Sequence, residues 1–408
     1  MIKRCFVVSM FFCSSLHAMV FDNRFLPLYY KPHTRRCDAL SWIRIQPFFM
    51  RADRAFSDDR HANIPDIDGS YDQVTLAHAL VAVGSENPLR SDFRLKTTLP
   101  WSRRGRIDAQ GLALYYEQAF CPWLSVGIGT FYGSVNARHD FSLRATELAA
   151  LSEGDRNYLF QVKEQMHREL GVLPAFYKKT GFGDTDLYVR LGMTFDYTLK
   201  CRRLDPAFKV GLIIPTASST ACNNPAAVPL GGQGHWGIYS ALEFENECKE
   251  DLIVGFNFRA IKRFTRTRQA HLPVAGEPSS YGAVVGPLAV NPGWTFVANP
   301  YISFEGLREG FGLKAQYTVV AHLRDLMRDG RVAEEQKKNP VSLDSLQCRS
   351  SWAMEHVTIG AFYDFGKVRE CPSLYPKLSA YWDIPVNWLV SKRAAKTSSV
   401  SLMVEFDF

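Results

Sequence analysis

From Leu187 to Leu199 every second residue is apolar: Leu187, Val189, Leu191, Met193, Phe195, Tyr197 and Leu199. They are set against Asp186, Tyr188, Arg190, Gly192, Thr194, Asp196 and Thr198. A period of two sends the two sets to opposite faces of one strand. Ordinary strands run about five or six residues, whereas a strand tilted across a bilayer needs about 9–11. The pattern therefore asks for a wall with hydrocarbon on one side and polar groups on the other. Lipid offers no hydrogen-bond partner to an open sheet edge, so such strands have to close into a barrel.

The stretch Ser399–Phe408 repeats the pattern: Val400, Leu402, Val404, Phe406 and Phe408 alternate with Ser401, Met403, Glu405 and Asp407. A last strand ending on an aromatic residue resembles the closing strand of bacterial outer-membrane β-barrels. That resemblance implies an assembly signal in Val404, Phe406 and Phe408. At the other end, Met1–Ala18 has a basic start (Lys3, Arg4), an apolar run from Cys5 to Cys13, and small residues up to Ala18. This is the three-part layout of a secretory signal peptide cleaved after Ala18. The expected organisation is a signal peptide at 1–18, a periplasmic segment at 19–39 and an outer-membrane barrel at 40–408. Beyond residue 18 no stretch reaches the roughly 18 consecutive apolar residues of a membrane helix.

The strands expected from alternation are Leu40–Met50, Gln73–Val83, Leu89–Leu99, Ile107–Phe120, Trp123–Val135, Leu187–Leu199, Phe208–Pro215, Trp236–Glu245, Leu252–Ile261, Trp294–Phe304, Phe311–Ala321, Glu355–Phe365, Leu374–Trp388 and the closing strand. The fold class is all-β, a transmembrane antiparallel barrel of about 14 strands (12–16) within the even counts of single-chain barrels. Short and long connections alternate, as periplasmic turns and extracellular loops would. In the longest loop Leu159, Val162, Met166 and Leu170 recur at helical spacing, so Asp155–Leu170 is expected as an amphipathic helix capped by Asp155. Such a helix rests on the rim or a neighbouring loop, or else enters the mouth as a plug.

The segments GFGDTDLYVRLGMTFDYTLK and AFKVGLIIPTA resemble the central region of the outer-membrane transporter family linked to meta-pathway phenol degradation. Gly183-Asp184 and Pro215-Thr216 match its motif, and Ala217 stands where the family has glycine. The likeness spans about a tenth of the chain. It implies a barrel porin or transporter, names no solute and transfers no catalytic residue.

The polar strand faces supply a candidate pore lining: Asp186, Arg190, Asp196, Lys209, Glu243, Arg259, Lys314, Gln316, Asp364, Asp383, Glu405 and Asp407. Opposed acids and bases tune the selectivity of a water-filled pore. The same charges could instead pair across a plugged barrel that conducts nothing, and both readings stand. Enzyme chemistry finds no support. The histidines at 139, 167, 235, 271, 322 and 356 are scattered, and Gly231-Gly232-Gln233-Gly234 lacks the lysine of a phosphate loop. No cofactor or metal is expected. The net charge of +7 is spread along the chain and gives no case for nucleic acid. The expected partners are the lipid bilayer, the barrel-assembly machinery, small solutes and, in an oligomer, further copies of the chain.

Nine cysteines, less Cys5 and Cys13 in the signal, leave seven in an oxidising compartment. Cys121, Cys201, Cys248 and Cys371 fall in expected periplasmic turns, with Cys37 on the same side. They are the candidate disulfide partners. Successive turns lie two strands apart, roughly 10 Å, too far for a bridge that needs Cα atoms about 4.4–6.8 Å apart. The segment carrying Cys37 could still reach one of the turns; otherwise either the thiols are incidental or they cross-link neighbouring molecules, as a structural surface protein would.

Overall fold

The computed structural model describes residues 23–29, 31–32, 40–57, 62–197, 201–274, 276–367 and 375–408. Its body is a closed antiparallel barrel of twelve strands. In chain order they are β1 (Ser41–Ala52), β2 (Pro100–Cys121), β3 (Leu124–Leu143), β4 (Thr185–Gly192), β5 (Arg203–Ile214), β6 (Gly237–Lys249), β7 (Leu252–Arg263), β8 (Trp294–Arg308), β9 (Phe311–His322), β10 (Trp352–Asp364), β11 (Tyr375–Val386) and β12 (Ser398–Asp407). Each pairs with the next, and β12 returns to β1 with Trp42 opposite Asp407 and Phe49 opposite Val400. Closure leaves no wall strand with a bare edge.

Twelve strands correct the expected fourteen, and both surplus strands belong to the connection after β1. Gln73–Ala82 is helix α1, and 89–99 is a loop around the one-turn helix Ser91–Arg94. The run QVTLAHALVA is apolar enough to satisfy two periods. Of its six buried residues, Gln73, Leu76, Ala77 and Leu80 have the i, i+3, i+4, i+7 spacing of a helix, and Val74 and Ala79 widen that face. Asp72 decides the matter by capping: its carboxylate accepts from Thr75 N at 3.0 Å and from Leu99 N at 2.7 Å. The long alternation at Leu187–Leu199 is also interrupted. Its ladder stops at Gly192 and resumes only at Phe195–Asp196, opposite Leu204 and Arg203. Between them Met193 N bonds the Pro206 carbonyl, but Pro206 has no N–H to return.

The wall is inverted relative to a soluble protein. Leu187, Val189, Leu191, Phe256, Trp382, Val400 and Leu402 are exposed outside, while Asp186, Tyr188, Asp383, Ser401 and Glu405 are buried within. Inward tyrosines lie flat over glycines directly opposite on the neighbouring strand. Tyr301 faces Gly255 in register, and a methyl at Gly255 would stand 2.0 Å from the Tyr301 ring. Among the described residues no helix is long and apolar enough to cross a membrane, so the strands alone supply this apolar belt.

The five longest connections emerge at one end of the barrel. There a longer helix, α2 (Glu153–Glu169), is found close to where it was expected. Its N-cap is Ser152, which accepts from Asp155 N at 3.1 Å, so Asp155 belongs to the first turn rather than the cap. Leu159, Val162 and Met166 pack in one cluster with Val74 and Leu80 of α1, Trp101 and Tyr281. The helix thus rests on neighbouring loops and does not occupy the lumen. A small sheet of Arg266–Leu272, Val284–Asn291 and Leu326–Asp329 stands at the same end.

Candidate functional site

The lumen is occupied by the chain itself. The described residues of the segment expected in the periplasm, 23–29 and 31–32, lie against the inner wall. Leu26, Leu28, Tyr29 and Lys31 are all buried. Lys31 forms an ion pair with Asp383 of β11, and Nζ lies 3.2 Å from Thr358 of β10. Arg44 donates to the Lys31 carbonyl at 2.7 Å, and Lys314 to the Pro32 carbonyl at 3.0 Å. Tyr29 bonds His356, and the Phe25 carbonyl accepts from Thr397 at 2.6 Å. Asn23 reaches Pro229 at the long-loop end with a bond of 2.7 Å. The segment therefore runs along the barrel axis from the loops inward.

Around it several of the inward charges are paired. Asp186 pairs with Arg259 at 2.8 Å, and Lys209 with Glu243 at 2.8 Å. Arg190 bridges Asp205 at 3.0 Å and Glu243 at 3.5 Å. Glu405 receives Arg44 Nε at 2.7 Å, with both side chains buried. Gln316 donates to Thr318 at 2.9 Å, Asp364 accepts from Gly366 N at 3.0 Å, and Asp407 is buried at the short-turn end. Asp196 departs from the set: it is exposed in its two-residue strand beyond the end of β4. Val404 and Phe406 alternate with these buried acids, and Phe408 is exposed. Cavities left within the network include two of about 30 Å³, and a third of about 10 Å³ lies against Leu26, Leu28 and Phe48. Each has room for about one water molecule at most.

Several members escaped the sequence reading. Lys31 lies in a stretch without periodicity. Glu117 of β2 receives Ser125 at 2.6 Å and Tyr188 at 2.8 Å, but Tyr, Ala and Gly at neighbouring inward positions hide its face. Asp184, in the matched Gly-Asp pair, meets Arg263 at 2.9 Å and Gly232 N at 2.7 Å. The other half of that motif comes to the same place, with Thr216 Oγ1 2.6 Å from the Gly183 carbonyl.

Above the segment opens a vestibule of about 340 Å³. Asn23, Arg24 and Phe25 form its floor, and its sides come from the long loops and the small sheet. Four of the histidines that look scattered in sequence, at 139, 235, 271 and 322, meet on its walls. Burial lowers the pKa of His235 and of His271, which keeps both neutral near neutral pH. Among the described residues no three His, Cys, Asp or Glu side chains come together as a metal site would require. No disulfide joins Cys121, Cys201 and Cys248 to one another. Cys37 and Cys371 lie outside the described residues.

No protein-family model matches the chain, and no curated protein matches it. Among solved structures, an outer-membrane channel from Pseudomonas putida F1 aligns over 93% of this chain and 100% of its own, with TM-score 0.51 and 10% identity. The chain resembles an outer-membrane channel in fold. Looser likenesses include a Pseudomonas aeruginosa FadL homologue (TM-score 0.34, 10% identity, 91% of each chain) and the transport unit of the autotransporter AIDA-I from Escherichia coli (0.38, 6%, 93% of this chain and 94% of the other). At that distance neither bears on function.

Proposed function

We propose that the chain is a bacterial outer-membrane channel for passive passage of small solutes, closed at rest by its own residues 23–29 and 31–32. It is a transport protein rather than an enzyme, with the long loops outside the cell and the short turns in the periplasm. The observation that carries this reading is an apolar exterior wrapped around a polar lumen, filled by a segment that is not part of the wall. The wall strands pair with one another along the whole circumference, so the segment can leave without opening the barrel. What it leaves behind is lined by Arg44, Glu117, Lys314, Thr358 and Asp383, groups that water can solvate.

The tight pairing of lumenal charges favours a second reading, a structural barrel that never conducts. Planar-bilayer recording on the refolded chain separates them. Deletion of 23–32 should raise single-channel conductance several-fold over the intact protein while the barrel still assembles. A deleted barrel that is folded yet electrically silent would sink the channel and leave the structural reading. In that case, multimers on non-reducing gels that collapse on reduction would support cross-linking through the turn thiols.

A further inference from the structure

Within the channel reading, we infer that the vestibule binds a small organic carboxylate, its charge on Arg268 and its carbon body against Leu288, Val290 and Met327. Arg268 sits on Arg266–Leu272 directly opposite Leu288, and Val290 is directly opposite Met327 on the third strand. All four residues line the same cavity. One wall of the vestibule is therefore an apolar panel carrying the Arg268 guanidinium, with Arg266, opposite Val290, on the same sheet face but outside the cavity lining.

Among the described residues that guanidinium has no hydrogen bond or ion pair, and its Nε is shielded from solvent without an acceptor. The other vestibule charges are engaged. Asp68 takes Arg24 at 2.5 Å, and its carbonyl takes Arg349 at 2.7 Å. Asp325 accepts from His322 at 2.8 Å and from Gly293 N at 2.8 Å, and Arg263 is held by Asp184 below the floor. Four guanidinium groups, at 24, 263, 268 and 349, thus face three carboxylates, at 68, 184 and 325, which leaves one positive charge in excess, and Asp325 and Asp68 act on Arg268 from beyond ion-pair distance. Arg268 is half-buried, its shielded Nε without an acceptor is costly, and a carboxylate accepting from Nε and a neighbouring N–H would give it two parallel N–H···O bonds. The volume suits a small molecule, standing near the lower end of the range of about 300–1,000 Å³ for ligand pockets.

Titration calorimetry on the full chain in non-ionic detergent, using butyrate, its neutral analogue butyramide and inorganic phosphate, tests the site without reference to transport. Butyrate should bind, and butyramide should bind at least about tenfold more weakly because it cannot neutralise the guanidinium. Arg268→Gln should lose at least about tenfold for butyrate, and Arg268→Lys should fall between, keeping the charge but not the fork. Heat-modifiable gel mobility confirms that each variant is folded. Equal binding of butyrate and butyramide, or unchanged binding in Arg268→Gln, would overturn the site. Phosphate bound more tightly than butyrate would overturn the apolar panel's part in it. Arg268-dependent binding in a chain that fails the conductance test would reject the channel and keep the site.

Discussion

Arg44 shows how much one side chain can hold in this barrel. It lies on β1 opposite Glu405 of β12, so their ion pair crosses the seam that closes the wall. Its other arm holds the Lys31 carbonyl and so fixes the segment in the lumen. Both partners are buried, where the loss of one charge costs far more than the loss of both. Glu405→Leu should therefore destabilise the barrel by roughly 3–5 kcal/mol, and the double change Arg44→Met with Glu405→Leu should recover most of that loss. Urea unfolding in lipid vesicles, followed by gel mobility, measures both. Equal losses in the single and double variants would assign the cost to shape rather than to charge.

At the scale of elements, the loop cluster is held by packing that responds to pH. His167 of α2 lies 2.9 Å from the Tyr71 hydroxyl and meets the Phe141 and Tyr281 rings. Burial, and then the nearby Lys163 cation, lower its pKa from 6.5 to about 4. The folded cluster thus holds neutral imidazole where an unfolded loop would take up a proton. Stability from this group is fully present above pH 6.5 and is lost as pH falls toward about 4. At most about 3 kcal/mol is at stake. Limited proteolysis of the loops should accelerate across that window, and His167→Phe should flatten the dependence. An acceleration that survives the substitution would place the titrating group elsewhere.

For the whole molecule, the separation of long loops from short turns sets orientation. Ser219 is exposed at the long-loop end, and Cys121 stands at the opposite end beside the turn into β3. In a background without other thiols, Ser219→Cys should react with an impermeant maleimide on intact cells, and Cys121 as sole thiol should not. Labelling of Cys121 from outside would invert the proposed topology.

The sequence by itself determined the wall. Alternation such as Val400-Ser401-Leu402 reports which medium each face meets, and a closed barrel follows because lipid cannot pair a strand edge. It also marked most of the inward charges and the amphipathic stripe of α2, since both depend on local period alone. Tertiary structure decided the rest. Gln73–Ala82 satisfies two periods, and the cap from Asp72 and the burial of one helical face choose between them. Segment 23–32 has no period at all, because its partners include Asp383, His356, Lys314 and Thr397, up to 372 residues away in the chain. The vestibule is equally hidden in sequence. Arg268 and His271 share the strand Arg266–Leu272, His139 and His322 lie on the wall strands β3 and β9, and His235 precedes β6, so only closure of the barrel brings them to one mouth.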